Sequence, residues 1–321
     1  MTAFDNTSPF LVQSKFQKLN QQYRGRFAPS PSGPLHFGSL YAALGSFLQA
    51  KSQDGLWFVR IEDIDKPREQ TGAKNLILDA LEAFGMKWDM DKETKDLLKP
   101  QDRQCLAQTN RLERYQQVLQ WLIDNNQIYA CECTRKQIKQ AGNLYQGTCR
   151  NKKLPFLNQG LRLKQDKTLS EFTDGIFGHL QVDKCFCQED YIIRRRDGLF
   201  AYQLVVVIDD IDQGITEVVR GADILDLTPR QIGLFQAFGL QAPSFVHLPL
   251  MVNTPGFKLS KQNHAKAIDI DEPRPELVEA LRRLGLPVFE DLLSGTVEEI
   301  ISWAIANWQL NQVPKLQEMV V

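Results

Sequence analysis

Arg26-Phe27-Ala28-Pro29-Ser30-Pro31-Ser32-Gly33-Pro34-Leu35-His36-Phe37-Gly38-Ser39 is the stretch that decides the fold. Residues 23–28 have the character of a short strand stopped by Pro29, and proline and glycine punctuate residues 29–38. Over residues 39–50, Leu40, Ala43, Leu44, Phe47 and Leu48 recur at helical spacing. Strand, Gly/Pro loop and helix together present backbone N–H groups and a positive helix end to phosphate. His36 stands in that loop, where a ring N–H stabilises a phosphate whose charge is redistributing.

The same α/β rhythm runs outward along the chain. Residues 56–61 read as a buried strand with Glu62, Asp63 and Asp65 emerging at its C-terminal end. Leu76, Ile77, Ala80, Leu81 and Phe84 then mark a helix that Gly85 ends. Two strand–helix units in succession predict a parallel sheet. A polar connector occupies residues 91–104, and Leu112, Tyr115, Val118, Leu119 and Leu122 form another helical face. Residues 129–190 differ in character and hold five of the six cysteines, as expected of a small inserted domain. The α/β pattern returns with an apolar strand at 204–208 ending in Asp209-Asp210, a helix over about 228–238 and a strand at 245–251. Leu277, Ala280, Leu281 and Leu284 line a helix in the tail, and Thr296 and Glu299 have capping-box spacing. The expected division is a loose extension (1–22), a split catalytic domain (23–110 and 191–240), an insertion (111–190), and a lysine-loop and helical region (241–321).

Composition adds bounds rather than direction. Of the 321 residues, 43% are hydrophobic and 24% charged, ordinary for a globular chain. No run of about 20 apolar residues is present, and the N-terminus lacks the order of an export signal, so a cytoplasmic location is expected. The 38 Lys and Arg nearly balance the 39 Asp and Glu, so RNA contact would need a local basic face such as Arg194-Arg195-Arg196 or Arg282-Arg283.

Two further constellations carry chemistry. Lys258-Leu259-Ser260-Lys261-Gln262 follows Pro255-Gly256, and a lysine on such a loop can neutralise charge on leaving pyrophosphate. Cys131, Cys133 and Cys149 with Tyr145 offer three thiolates and a phenolate to one ion, and three sulfurs favour a closed zinc site. Spacing alone equally allows a site of Cys131, Cys133, Cys185 and Cys187, or no metal. Cys105 reads as a buried, incidental thiol, and cytosolic thiols stay reduced. Glu62, at a strand end, suits an ammonium group; Arg26 and Arg220 offer planar forks to carboxylates.

The loop through Ser39, the run Arg60-Ile61-Glu62-Asp63-Ile64-Asp65, the contexts of Tyr202 and Arg220, and the lysine loop together resemble the glutamyl and glutaminyl branch of class I aminoacyl-tRNA synthetases. The resemblance covers roughly residues 24–265 and implies a Rossmann-type parallel sheet. The full expectation is an α/β catalytic domain with an inserted zinc-containing α+β domain and a short helical C-terminal region. It implies ATP held by Pro29, Gly33, His36, Gly38, Ser39, Lys258, Ser260 and Lys261, with Mg2+ accompanying it. His36, Ser39, Lys258 and Lys261 are the implied catalytic residues, with Lys261 foremost. Arg26, Ser30, Glu62, Tyr202 and Arg220 are implied to line the amino-acid site.

Three departures narrow the branch. Ser39 stands where the family's motif has a second histidine. Only about 60 residues follow Gln262, too few for the large helical anticodon-binding region. The Cys-x-Cys…Tyr-x-x-x-Cys pattern resembles the zinc site of a short glutamyl-type branch, which assigns Cys131, Cys133, Tyr145 and Cys149 to the metal. That branch implies tRNA-independent activation of L-glutamate and its transfer to queuosine at the wobble position of tRNA(Asp), by an enzyme expected to be monomeric. The alternatives are a truncated synthetase that charges the usual 3′ end, a non-catalytic RNA-binding paralogue, and a generic nucleotidyltransferase.

Overall fold

The computed structural model describes residue 10 and residues 22–98, 103–166, 168–254, 257–258 and 266–321. Strand β1 (Arg24–Phe27) leads through the Gly/Pro loop into helix α1 (Phe37–Lys51), and β2 (Leu56–Ile61) follows. Helix α2 (Ala73–Ala83) ends at Gly85, whose φ of +73° is the left-handed conformation that glycine adopts without a Cβ clash. Next come β3 (Leu106–Ala107) and α3 (Leu112–Asp124). β1 pairs with β2 and β2 with β3, all parallel, as the alternating pattern requires.

The middle of the chain contributes β4 (Ile128–Cys131), the short basic helix α4 (Arg135–Gln140), β5 (Gly160–Leu163), β6 (Glu171–Asp174), β7 (Gly178–Gln181) and β8 (Ile192–Arg194). β4, β5 and β8 form an antiparallel sheet of their own. β6 instead lies parallel to a later strand, meeting it at Asp174 and Phe245.

Helix α5 (Tyr202–Asp212) occupies the stretch read from sequence as an apolar strand ending in Asp209-Asp210. That reading is corrected: Leu204 through Ile211 are buried without interruption, because the helix runs through the core against α3 and α6 (Thr228–Ala237). A helix buried on every side shows no stripe of exposed polar residues, so its Val-Val-Val-Ile run imitates a buried strand. Between α5 and α6 runs β9 (Glu217–Gly221), which pairs in parallel with β10 (Ser244–Leu248). β11 (Leu250–Thr254) follows Pro249 and pairs with β12 (Phe257–Lys258) and β13 (Glu318–Val320). In the tail, α7 (Arg274–Arg283) buries Leu277, Ala280 and Leu281, and α8 (Val297–Asn307) opens on the Thr296/Glu299 capping box.

β1 is the switch point of this arrangement. On one side it bonds β2; on the other, its Arg24 carbonyl accepts the Thr216 N–H at 2.9 Å, just before β9. Strand order therefore reverses between β1 and β9, and the crevice beyond their C-terminal ends is where such sheets bind ligands. The main core lies behind this crevice, where α1 packs its Leu40, Leu44 and Leu48 between the sheet and α7. Phe10 is also buried, its ring 4.7 Å from that of Phe238.

Candidate active site

A cleft of about 940 Å³ opens at that crevice, lined by Pro29, Ser30, His36, Gly38 and Ser39 from the loop and helix start, and by Gly221, Asp223, Leu250 and Met251 opposite. His36 is the N-cap of α1, with extended backbone. Its Nδ1 accepts the Ser39 N–H at 3.3 Å. The neutral ring thus carries its proton on Nε2, which lies 3.1 Å from Ser39 Oγ and donates to it. The Ser39 hydroxyl proton is then left to point elsewhere, such as a phosphate oxygen. Gly38 permits this geometry: a Cβ there would come within 3.2 Å of the His36 ring and 3.4 Å of Met251. Gly33 holds φ +132°, a conformation suited to glycine.

The far side of the lysine loop returns to the same place. His36 bridges Ala267, and Leu35 accepts the Ile268 N–H at 3.1 Å. Lys258 sits on β12 opposite Val252, while Ser260 and Lys261 lie outside the described residues.

Deeper in the crevice is a buried set of charges. Arg26, on β1, donates from Nε to Asp210 at 3.0 Å. Arg60, on β2 and fully buried, lies 2.8 Å from Asp210 and 3.6 Å from Glu62, and donates to Gln213 at 2.7 Å. Asp210 is held below the usual carboxylate range: burial pushes it up, but the Arg26 and Arg60 guanidinium groups outweigh burial. Glu62 is different. Burial pushes its carboxyl up to about 7, with the nearby Arg60 and Arg26 only partly opposing. Its Oε1 is buried with no hydrogen-bond partner among the described residues. An unsatisfied carboxylate oxygen is costly, and an incoming ammonium satisfies it. Burial raises the Tyr202 phenol, Glu62 adds to this, and Arg220 and Arg26 oppose it, which places all four groups around one region. Arg220 is held by His247 (3.0 Å), Gln231 (2.7 Å) and Thr228 (2.8 Å).

The sequence reading did not single out Arg60, Asp210 or His247 as parts of this site. Arg60 alternates within an apolar strand, and an arginine wholly buried there requires buried anions, a usable signal. Asp210 was placed at the end of a strand; on α5 it faces β1 instead. His247 gives no local cue, since a lone histidine in a strand has many uses. The arginines proposed as basic faces are engaged: Arg195 pairs with Asp197, Arg196 donates to the Glu132 carbonyl, and Arg282 and Arg283 pair with Glu279.

A second site lies in the antiparallel unit. The Sγ atoms of Cys131, Cys133 and Cys149 all fall within 4.8 Å of one another. Zinc–sulfur bonds of about 2.3 Å in a tetrahedron imply sulfurs about 3.8 Å apart, so the set fits one ion with slight contraction. Tyr145 belongs to the same cluster, and its hydroxyl oxygen accepts the Cys149 N–H at 2.7 Å, leaving a lone pair for a metal. Arg162 stacks on the Tyr145 ring at 3.6 Å. Cys185 is exposed and Cys187 packs with Phe172 in another cluster, so the alternative four-cysteine site is not assembled. Cys105 is buried, as expected.

A parallel sheet with its switch-point cleft, a capped histidine loop and a buried amino-acid-sized charge cluster define a class I aminoacyl-tRNA synthetase catalytic unit. The chain matches the family described as tRNA synthetases class I (E and Q), catalytic domain, over residues 22–319. The glutamyl-Q tRNA(Asp) synthetase of Vibrio parahaemolyticus is 50% identical over 293 residues, covering 91% of this chain and 95% of that relative. Its namesake from Klebsiella pneumoniae is 50% identical over 290 residues, covering 90% and 94%. The glutamate tRNA ligase of Elizabethkingia meningosepticum, solved in complex with its amino acid, is similar at a TM-score of 0.73 and 25% identity, over 92% of this chain and 66% of that longer one. The chain belongs to the class I (E and Q) tRNA synthetases, in the branch of the glutamyl-Q tRNA(Asp) synthetases.

Proposed function

We propose that this ligase activates L-glutamate with ATP in the absence of tRNA and transfers the glutamyl group to queuosine at the wobble position of tRNA(Asp). The observation that carries this is the half-identity, over nine-tenths of the chain, to proteins named for that reaction. The site supports it. Glu62 takes the substrate ammonium, Arg26 and Arg220 take its carboxylates, and Tyr202 and Ser30 close the pocket. Pro29, Gly33, Gly38, Ser39 and Ser260 hold ATP with His36, Lys258 and Lys261, and Mg2+ accompanies the phosphates.

In the first step a glutamate carboxylate oxygen bonds to the α-phosphorus and pyrophosphate leaves. Ser39 donates its hydroxyl proton to a phosphoryl oxygen as charge redistributes, His36 holds that hydroxyl in place, and Lys258 and Lys261 neutralise the leaving group. In the second step a hydroxyl of the queuosine cyclopentene-diol attacks the activated carbonyl. It loses its proton, AMP departs, and an ester remains. Both reactions use positive groups rather than a nucleophile of the protein.

The Cys131, Cys133, Tyr145 and Cys149 set is proposed to hold one structural zinc ion that ties β4 to the loop at residue 149. No helix among the described residues is long and apolar enough to cross a membrane. A cytoplasmic monomer is part of the proposal.

The test is transfer of labelled glutamate to purified tRNA(Asp) with and without queuosine, followed by nuclease mapping. Label confined to queuosine is the expected result. Label on the terminal adenosine would overturn the proposal in favour of ordinary charging. Absence of label together with absence of glutamate-dependent ATP–pyrophosphate exchange would overturn adenylation itself.

A further inference from the structure

Arg220 is held by a closed ring of hydrogen bonds with a fixed anion behind it. Asp174, on β6, is buried, and its carboxylate has four donors: Oδ1 accepts from Ile176 N–H (2.9 Å) and Phe177 N–H (3.0 Å), and Oδ2 from His247 N–H (3.1 Å) and His247 Nδ1 (2.7 Å). Although burial pushes this carboxyl up, the His247, Phe177 and Ile176 hydrogen bonds outweigh it, and Asp174 stays ionised. An ionised carboxylate only accepts, so Nδ1 of His247 must carry a proton. Burial, with Arg220 alongside, holds the imidazole below its ordinary range, so the ring is neutral and Nε2 is bare.

Bare Nε2 accepts the Arg220 Nε–H at 3.0 Å and the Thr228 hydroxyl at 3.3 Å, while Thr228 Oγ1 accepts Arg220 Nη2–H at 2.8 Å. Gln231 takes Nη1–H at 2.7 Å. Phe245 lies parallel to the His247 ring at 6.4 Å and Phe172 meets it edge-on at 6.1 Å, keeping water from the ring and strengthening its bonds. His247 is wholly buried, and Asp223 opposes Arg220 in its effect on the ring.

We infer that His247, oriented by Asp174, is a positioning residue of the amino-acid site: it fixes the rotation of the Arg220 guanidinium, whose Nη2 also donates to the Ile224 carbonyl at 3.4 Å, so that the second N–H on Nη1 meets the substrate carboxylate. Asp174 reaches this place because β6 leaves the middle segment to pair with β10, so the segment ahead of the second catalytic half takes part in glutamate selection. The inference rests on the reading of Arg220 as a glutamate ligand, and it predicts an effect on glutamate rather than on ATP.

The experiment compares His247→Gln with His247→Asn. A glutamine places an acceptor where Nε2 stands and loses the bond to Asp174; an asparagine keeps a donor for Asp174 and loses the acceptor for Arg220. In glutamate-dependent ATP–pyrophosphate exchange, H247N should raise KM for glutamate roughly tenfold to a hundredfold, the loss of a hydrogen bond to a charged group. KM for ATP should stay within about twofold, and H247Q should recover most of the loss. Equal losses in both variants, or KM for ATP rising in step with KM for glutamate, would overturn the inference, since a merely structural histidine behaves so. A 15N spectrum of histidine-labelled wild-type protein judges the ring separately from activity. A His247 protonated on Nδ1 with bare Nε2 supports the relay, and the opposite tautomer overturns it. Absence of exchange in the wild type would count against the adenylation reading, leaving the spectrum to decide the relay.

Discussion

Arg26 on β1 and Asp210 on α5 meet at 3.0 Å across 184 residues of sequence, and neither side chain is more than 5% exposed. This contact ties the first catalytic half to the second, immediately beside Glu62 and Arg60. Asp210→Asn takes the paired anion from Arg26 and the nearest of three, with Glu62 and Asp209, from Arg60. Breaking a buried pair from one side costs about 3 kcal/mol or more, because the partner charge remains buried. The urea midpoint should fall accordingly with unchanged slope, and KM for glutamate should rise as Arg26 loses its brace. An unfolding free energy within about 0.5 kcal/mol of wild type would show that the network is not under this constraint.

Glutamate affinity should depend on pH through Glu62. Burial raises its carboxyl to about 7, and an ammonium favours the ionised form. Binding therefore releases a proton below that value, and KM for glutamate should climb toward tenfold per pH unit as pH falls below 7, levelling above it. Glu62→Gln should weaken glutamate binding at every pH and flatten the profile. A wild-type profile already flat between pH 5.5 and 8 would place the carboxyl elsewhere.

Zinc content should follow the Cys/Tyr set. Cys131→Ser should lose the bound ion and lower the thermal midpoint, since metal binding in such sites is folding free energy. Tyr145→Phe should weaken retention against a chelator less severely, because three sulfurs remain. Cys185→Ser should leave metal content at one ion per chain. Equal loss in Cys185→Ser, measured by elemental analysis, would revive the four-cysteine alternative.

Gly38→Ala tests the histidine loop. The added methyl meets the His36 ring at 3.2 Å and 3.3 Å, closer than ordinary contact, with Met251 behind it. Helix propensity alone would make alanine favourable there by about 1 kcal/mol, so stability should hold or rise. Activity should fall instead, with KM for ATP up several-fold as His36 turns from Ser39. Unchanged exchange kinetics would remove His36 from the phosphate-binding role.

Much of the fold was legible because local rules and global packing agree. The strand over β2, the helix ended by Gly85 and the Thr296/Glu299 box follow from short-range spacing and backbone chemistry, which a linear sequence records. α5 was misread because its burial on all sides erases the periodicity on which a helix is recognised. The loop residues from Pro29 to Ser39 were legible for a similar reason: one segment supplies them all.

What the sequence determined by itself was therefore the inventory: an α/β chain, a Gly/Pro loop between a strand and a helix, a set of residues that resembles a glutamate site, and cysteines gathered in one segment. The tertiary structure decided which charges share a dry space. Glu62 acquires its raised pKa, Arg60 its anions, and Arg220 its Asp174–His247 brace only when strands far apart in sequence lie side by side. Desolvation and hydrogen-bond direction are properties of that enclosure, and no spacing along the chain encodes them.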